Sequence, residues 1–272
     1  MELWSFALLL ITGLVSGFYS GLVGSGGNVI LIPILDIVLY QAGLRDGMLV
    51  KSIIAHSLMV SFFLGGIVAY RQYKAGNFFL KEVLLSSVLG IFTALFTTWL
   101  ITQGDWYNKK DFDIVFAAML FLLILKLIID KKSGLTGVFE RNSNPLLLLI
   151  GAITGAVTSL SGLGGGIILI PGFTDLMKMS LKKASSVSIS VIAILALPIS
   201  LSYLSESTDD LVILPLQVGL ISFAIVLPTM LGVIISAPYG VKAAHKLNPR
   251  IIKIIFSVVV CSLLLKMMYT MS

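Results

Sequence analysis

Two short glycine clusters carry the groups best suited to bind a ligand. One is Gly24–Asn28 (GSGGN) and the other is Gly162–Gly166 (GLGGG). Each consecutive glycine weakens a helix by about 1 kcal/mol relative to alanine, and a broken helix exposes backbone N–H groups where its next segment starts. Such a helix start carries roughly half a positive charge and binds anions well. The candidate ligand residues in the clusters are Ser25, Gly26, Gly27, Asn28, Gly164, Gly165 and Gly166.

Three serines and one histidine could complete an anion site. Ser161 directly precedes the second cluster, and Ser57 and Ser188 lie 131 positions apart in two later apolar segments. We expect their hydroxyls to donate to the anion, although hydroxyls in membrane helices also bond to the carbonyl of the preceding turn. His56 is an ionisable residue expected inside the membrane and so a candidate for function. Its place five residues after Lys51 equally favours an interfacial role.

The positions of the acidic residues indicate the charge of the ligand. All 13 lie at the ends of apolar runs or between them, whereas cation pumps and many proton-coupled carriers use a carboxylate inside the membrane. This pattern favours an anionic substrate. The sequence has no catalytic triad, no paired-carboxylate spacing and no cluster of metal ligands, and Cys261 is its single cysteine. We therefore expect no enzyme, no bound metal and no cofactor.

Both clusters belong to an internal repeat of the sequence. Residues 13–33 and 151–171 align without a gap at an offset of 138, with ten of 21 positions identical. Residues 114–128 and 254–268 align at an offset of 140. The repeat therefore covers each half, and it predicts an N-terminal transmembrane repeat (1–130), a connecting loop (131–144) and a C-terminal transmembrane repeat (145–272).

Small residues spaced by four precede each cluster. They are Gly13, Gly17 and Gly21 in the first half and Gly151, Gly155 and Ser159 in the second. Small residues at this spacing allow two membrane helices to approach closely. This part of the repeat therefore predicts helix packing, and the contiguous glycines that follow predict the binding site.

The composition is that of a membrane protein. The chain is 57% hydrophobic and 12% charged, whereas soluble domains carry about 25% charged residues. A spanning helix needs about 20 apolar residues, and eight apolar runs predict an all-α polytopic membrane protein with two homologous repeats of about four transmembrane helices each.

The first apolar run of each half is too long for a single spanning helix. It contains 33 uncharged residues, so we expect the first helix of each repeat to be broken at its Gly-rich motif. Four spans per half predict repeats of the same orientation. If the second piece of each broken helix turns back, the count becomes ten and the repeats become inverted.

Lysine and arginine residues predict the orientation in the membrane. With eight spans and both termini outside, the inside loops hold eleven Lys and Arg residues and the outside loops hold six. The positive-inside rule then predicts that both termini lie on the outer side. The net charge of +6 comes from these loops and does not indicate nucleic acid binding.

The doubled pattern of glycines, an apolar stretch and a proline resembles the sulfite exporter TauE/SafE family of membrane transporters. The pattern ends at Pro33 in the first half and at Pro171 in the second, and a span with a small Ala/Ser/Thr cluster follows each time. The first copy departs from the pattern at Asn28, where the second copy has Gly166. The residues that match the motif are Gly24, Gly26, Gly27, Gly162, Gly164, Gly165 and Gly166.

The resemblance implies a multi-pass protein of the bacterial or archaeal inner membrane. Its substrates would be sulfite, organosulfonates such as sulfoacetate or taurine, or related sulfur anions. Together with the glycine motifs, this predicts a secondary transporter that works by alternating access, with a proton or another ion as a candidate for coupling. An anion channel of the same fold and a membrane protein that does not transport are the alternatives.

Overall fold

Nearly all of the described chain is α-helical. The computed structural model describes residues 3–23, 27–104, 106–129, 143–206, 214–247, 251, 254 and 257–265. The helices of the first half are α1 (Leu3–Val23), α2 (Asn28–Gln41), α3 (Asp46–Lys74), α4 (Leu80–Gln103) and α5 (Lys109–Ile129). The second half contains α6 (Asn144–Ser161), α7 (Gly166–Pro171) with a π-helical extension (Gly172–Leu176), α8 (Leu181–Leu204), β1 (Gln217–Val218), β2 (Ile221–Ser222) and α9 (Phe223–Lys246). Residues 257–265 form α10.

The predicted all-α membrane class is confirmed by the length and composition of these helices. Five of the described helices, α3, α4, α6, α8 and α9, are long and apolar enough to cross a bilayer. A bilayer core of about 30 Å requires about 20 residues in helical geometry. The antiparallel pair of β1 and β2, two residues each, lies in the connection between α8 and α9.

Both long apolar runs are divided at their glycine clusters. Helix α1 ends at Val23 and α2 begins at Asn28, while α6 ends at Ser161 and α7 begins at Gly166. In the second cluster, Gly162 and Gly165 have left-handed φ angles of +67° and +73°. Side chains are strongly disfavoured in this region, which glycine enters freely, so these two positions end one helix and start the next.

The second piece of each divided helix turns back along the first. Gly27 lies against the middle of α1, where Ser16 Oγ donates to Gly27 O at 2.7 Å. In the second half, Gly165 lies beside Thr154 in the middle of α6, and Gly172 lies beside Ile150, nearer the start of α6. Ser16 and Thr154 are equivalent positions of the sequence repeat, 138 residues apart.

The closest helix packing joins the two halves of the chain. Helices α1 and α9 run parallel, because the neighbour of Gly13 is Thr229 and that of Gly21 is Ala237. Helices α6 and α4 also run parallel, since Gly151 meets the backbone of Ser86 and successive small residues meet successive turns of α4. The predicted packing role is thus confirmed for Gly13, Gly17, Gly21, Gly151 and Gly155, and Ser159 adds a hydrogen bond to Ala94 O at 2.9 Å.

Helices α3 and α8 form the centre of the molecule and run antiparallel. Gly65 in the second half of α3 packs against Ile189 and Ala193 in the first half of α8. Beyond the end of α3, Ser186 of α8 donates to Asn77 O. In α3, every residue from Leu49 to Ser61 is buried. This central pair therefore holds the polar residues of α3 away from lipid.

We predict that alanine at Gly13 or at Gly151 destabilises the protein. A Cβ at either position would overlap the backbone of the neighbouring helix, at Thr229 or at Ser86. Overpacking of this kind costs about 1–3 kcal/mol. The melting temperature of the purified protein in detergent should therefore fall for both variants.

Gly66→Ala is the matched control for these variants. A Cβ at Gly66 in α3 would meet no atom within 4 Å, and alanine favours a helix more than glycine does. Its melting temperature should stay the same or rise. An equal fall for all three variants would show that the loss of glycine, and not the close helix approach, is responsible.

Candidate functional site

The carbonyl oxygen of Gly162 is the meeting point of the two halves. Asn28 Nδ2 donates to it at 2.6 Å, and Ser57 Oγ shares its proton between Gly162 O at 3.2 Å and Ile54 O of the preceding turn at 3.0 Å. The same Asn28 amide also reaches Ser61 Oγ at 2.8 Å and Ser57 O at 3.3 Å. A carbonyl that a helix break leaves inside a membrane protein is costly unless it is paired. The side chains of Asn28 on α2 and Ser57 on α3 therefore donate to the carbonyl that the break between α6 and α7 leaves without a partner in its own helix.

The start of α2 lies inside the protein beside this hydrogen-bond cluster. Gly27 O accepts from the backbone amides of Ile30 and Leu31 at the first turn of α2, as well as from Ser16 Oγ. A Cβ on Gly27 would overlap Ser16, so glycine is required for this approach. The N-terminal end of a 14-residue helix, with its positive partial charge, is thus next to the hydroxyls of α3.

The second glycine turn packs against α6 and α8. A Cβ on Gly164 would lie 3.1 Å from Ile192 Cγ2 and 3.8 Å from Ser61 Oγ, and one on Gly165 would overlap Thr154 Cγ2 and lie 2.7 Å from Thr158 Oγ1. Gly166, at the start of α7, is buried. The turn is therefore close to the same Ser61 that Asn28 contacts.

The remaining predicted serines have different surroundings. Ser161 Oγ donates to Val157 O at 2.7 Å and accepts from Leu163 N at 3.2 Å, so its hydroxyl supports the turn. Ser188 is 2% exposed, and its hydroxyl has no hydrogen-bond partner in the described part of the chain. It lies on α8 one helical turn before Ile192. Ser25 and Gly26 lie outside the described residues.

His56 is buried but points away from the glycine turns. Its Nδ1 lies 2.7 Å from Ser52 O, and its Nε2 accepts from the backbone N–H of Ser222 at 2.9 Å. The ring is therefore neutral, with the proton on Nδ1, because Nε2 must keep its lone pair to accept. His56 joins the middle of α3 to the N-cap of α9 in this structure.

One hydroxyl beside the second turn was not predicted from the sequence. Thr158 is fully buried on α6, and its Oγ1 has no hydrogen-bond partner within the described residues. A signal for it exists in the repeat, because Ser20 and Thr158 are equivalent positions and both carry a hydroxyl.

The hydrogen bonds of this cluster involve no charged side chain of the described chain. Lys109 pairs with Asp36 at 3.1 Å and with Asp113 at 2.5 Å, while Lys183 pairs with Glu82 at 2.7 Å. No group of three or more His, Cys, Asp or Glu side chains in the described ranges could hold a metal ion. The polar groups around Gly162 are thus hydroxyls, amides and carbonyls.

A tyrosine in the connection between α4 and α5 anchors the end of α6. Tyr107 is 2% exposed and its hydroxyl donates to Leu160 O at 2.7 Å. Burial, with a smaller contribution from Asp111 and Asp113, raises the pKa of Tyr107. The phenol therefore stays protonated and keeps its hydrogen bond, which is made two residues before Gly162.

Comparison with known proteins gives a consistent result. A probable membrane transporter of Methanocaldococcus jannaschii, MJ0441, is 29% identical over 252 residues, which cover 92% of this chain and 90% of that protein. A probable membrane transporter of Haemophilus influenzae is 28% identical over 178 residues, 63% of this chain and 64% of that protein. The probable membrane transporter YunE of Bacillus subtilis is 22% identical over 224 residues, 74% of this chain and 78% of that protein. No solved structure matches.

The match to a protein family covers almost the whole chain. Residues 8–267 match the sulfite exporter TauE/SafE family, and this range includes both glycine clusters and the helices that surround them, apart from the first five residues of α1. The resemblance inferred from the doubled glycine motif is therefore confirmed, and this chain is a multi-pass membrane transporter of the sulfite exporter TauE/SafE family.

Proposed function

We propose that the protein is a secondary transporter of a small sulfur-containing anion, either sulfite or an organosulfonate such as sulfoacetate or taurine. The family name supports a sulfur anion, and the three relatives support transport. The observation that carries the proposal is the buried start of α2 beside the hydroxyls of Ser57 and Ser61, with Asn28 between them. A helix start and neutral donors stabilise an anion, and a carboxylate, which would repel it, contributes none of these contacts.

The proposed substrate site combines both glycine turns with hydroxyls of α3, α6 and α8. Asn28 and Ser57 donate to Gly162 O in this structure. An anion that accepts from these donors therefore competes with Gly162 O, and this couples binding to movement of the turn between α6 and α7. The proposed ligand residues are Ser25, Gly26, Gly27, Asn28, Ser57, Ser161, Gly164, Gly165, Gly166 and Ser188.

His56 has a different part in this proposal. If His56 accepted a proton or bound the substrate, its ring would have to break its contact with Ser222 N–H or with Ser52 O. Sulfite offers a simpler route for a coupled proton, because its second ionisation lies near neutral pH and the anion itself can carry the proton. We therefore assign His56 to positioning the start of α9.

The helix directions support two inverted repeats of five segments, built from residues 1–130 and 145–272 and joined by 131–144. The pieces that follow the glycine breaks turn back along α1 and α6, which is the condition for ten segments. In addition, α3 and α8 are equivalent in the repeat and run antiparallel at the centre. Two equivalent antiparallel helices are related by an axis in the membrane plane, as in transporters with inverted repeats.

The packing supports a proposal for the parts that would move in alternating access. The pairs α1–α9 and α4–α6 are joined by glycines that admit no side chain, so each pair moves as one body. Each body contains one helix from the first half of the sequence and one from the second. The glycine turns lie between these bodies and the central helices α3 and α8, where a relative rotation would open the site to one side.

The ten-segment arrangement separates the charges of the two membrane faces. On one face lie eight described basic residues and two acidic ones: Arg71, Lys74, Lys81, Lys178, Lys182, Lys183, Lys242 and Lys246, with Glu82 and Asp175. On the other face lie four basic residues and five acidic ones: Arg45, Lys51, Lys109 and Lys110, with Asp36, Asp46, Asp111, Asp113 and Glu206. The positive-inside rule makes the first face cytoplasmic in a cell's inner membrane and puts both termini outside.

Labelling of single cysteines distinguishes ten segments from eight. In a Cys261→Ser background, a membrane-impermeant maleimide applied to intact cells should label cysteine at Arg45 or Lys110, but not at Lys178 or Lys242. All four side chains are exposed. Eight spans would put all four on the inside, so protection of Arg45 and Lys110 together with the other two would contradict the inverted arrangement.

Flux measurements in proteoliposomes test the substrate and the site together. We expect saturable transport of sulfite, sulfoacetate or thiosulfate by the unaltered protein, with counterflow. Gly165→Leu should abolish it, because a side chain there overlaps Thr154 and is strained at a φ of +73°. Ser57→Ala removes one donor to Gly162 O without adding bulk, and it should change KM while leaving insertion intact.

Gly66→Leu is the control for the bulky substitution, since the space beside Gly66 is open. It should retain flux. Normal flux in both Gly165→Leu and Ser57→Ala would rule out the proposed site. Flux that does not saturate and shows no counterflow would instead favour an anion channel of the same fold.

A further inference from the structure

We propose that Thr158, on α6, donates a hydrogen bond to the transported anion. The inference rests on the proposed function and adds a specificity-determining residue to its site. It follows from a single juxtaposition, in which a fully buried hydroxyl without a hydrogen-bond partner in the described chain lies beside the backbone of the second glycine turn.

The other hydroxyls of α6 show that Thr158 is unusual. Thr154 Oγ1 donates to Ile150 O at 2.7 Å and Ser161 Oγ donates to Val157 O at 2.7 Å, each to the carbonyl four residues earlier. Ser159 Oγ donates to Ala94 O of α4 at 2.9 Å. Hydroxyls in helices usually bond to a carbonyl of the preceding turn of their own helix. Thr158 has the same opportunity and leaves its donor without an acceptor among the described residues.

The direction of the Thr158 hydroxyl connects it to the glycine turn. Its Oγ1 lies 2.7 Å from the place where a Cβ of Gly165 would be. Thr154 Cγ2 occupies this place, and the φ of +73° at Gly165 disfavours any residue with a side chain. An anion therefore reaches this hydroxyl when the turn between α6 and α7 moves, which is the movement that competition for Gly162 O produces in the proposed function.

The chemistry of this hydroxyl favours an oxyanion. A buried donor without an acceptor destabilises the unliganded protein, because it has lost water and gained nothing in return. An anionic oxygen of sulfite or of a sulfonate restores the missing hydrogen bond, and bonds to charged groups are the stronger ones. Thr158 would thus stabilise the complex with the anion and not the empty protein. A residue with a purely structural role would instead stabilise the empty protein.

Three variants test this inference. Thr158→Val has nearly the same shape and lacks the hydroxyl, Thr158→Ser keeps a hydroxyl, and Thr154→Val removes a hydroxyl that is already bonded within α6. For each we would measure the melting temperature without ligand, its rise with sulfite or sulfoacetate, and the KM of uptake in proteoliposomes.

The expected changes in KM and in melting temperature differ between Thr158 and Thr154. Thr158→Val should raise KM by about tenfold or more, the loss expected for one hydrogen bond to a charged group. It should also reduce the ligand-induced rise, while the melting temperature without ligand stays the same or increases. Thr158→Ser should largely restore KM. Thr154→Val should lower the melting temperature without ligand and leave KM unchanged.

Two results would overturn the inference. One is an unchanged KM and an unchanged ligand-induced rise in Thr158→Val. The other is a fall in its melting temperature without ligand at constant KM, which would make Thr158 a structural residue. Failure of the proposed function itself would appear earlier, as absence of flux and of ligand stabilisation in the unaltered protein, and this inference would fall with it.

Discussion

The structure depends on satisfying one backbone carbonyl, that of Gly162. A helix that stops inside a membrane leaves polar backbone groups where no bulk water can reach them. Here Asn28 from α2 and Ser57 from α3 both donate to Gly162 O. The contact joins residues 134 positions apart, so the broken helix of one half is completed by side chains of the other. It also brings the start of α2 to the second glycine turn, and the proposed site is built around that approach.

The glycines before the breaks solve a different problem. They bring the backbone of α1 into contact with α9 and that of α6 into contact with α4. In lipid, burial of apolar surface contributes little to helix association, so van der Waals packing at such close contacts is what stabilises it. Both contacts cross between the halves of the sequence. The units that are similar in sequence are therefore not the units that are packed most closely, and transport models based on two rocking sequence halves would have to separate the tightest interfaces in the molecule.

Much of this was predictable from the sequence, for physical reasons. Consecutive glycines at Gly24–Asn28 and Gly162–Gly166 disfavour a helix wherever they occur, and small residues spaced by four form a packing face on any helix. The direction in which the chain leaves each break was not predictable, because it depends on long-range contacts such as Asn28 with Gly162. For the same reason, Asn28 was predicted only as an anion ligand, although its amide is engaged with protein in this structure. Thr158 was overlooked because a single hydroxyl in a helix is normally bonded to its own backbone.

The parallel contact of α1 with α9 has a consequence for biosynthesis. Gly13 and Thr229, which meet in this contact, are 216 positions apart in the chain. A ribosome therefore completes seven further helices before the partner of α1 exists, whereas α6 emerges when α4 has already been made. Two packings that look equivalent in the finished protein must form at different stages of translation. Until α9 is inserted, the glycine face of α1 lacks the helix that covers it in the finished protein.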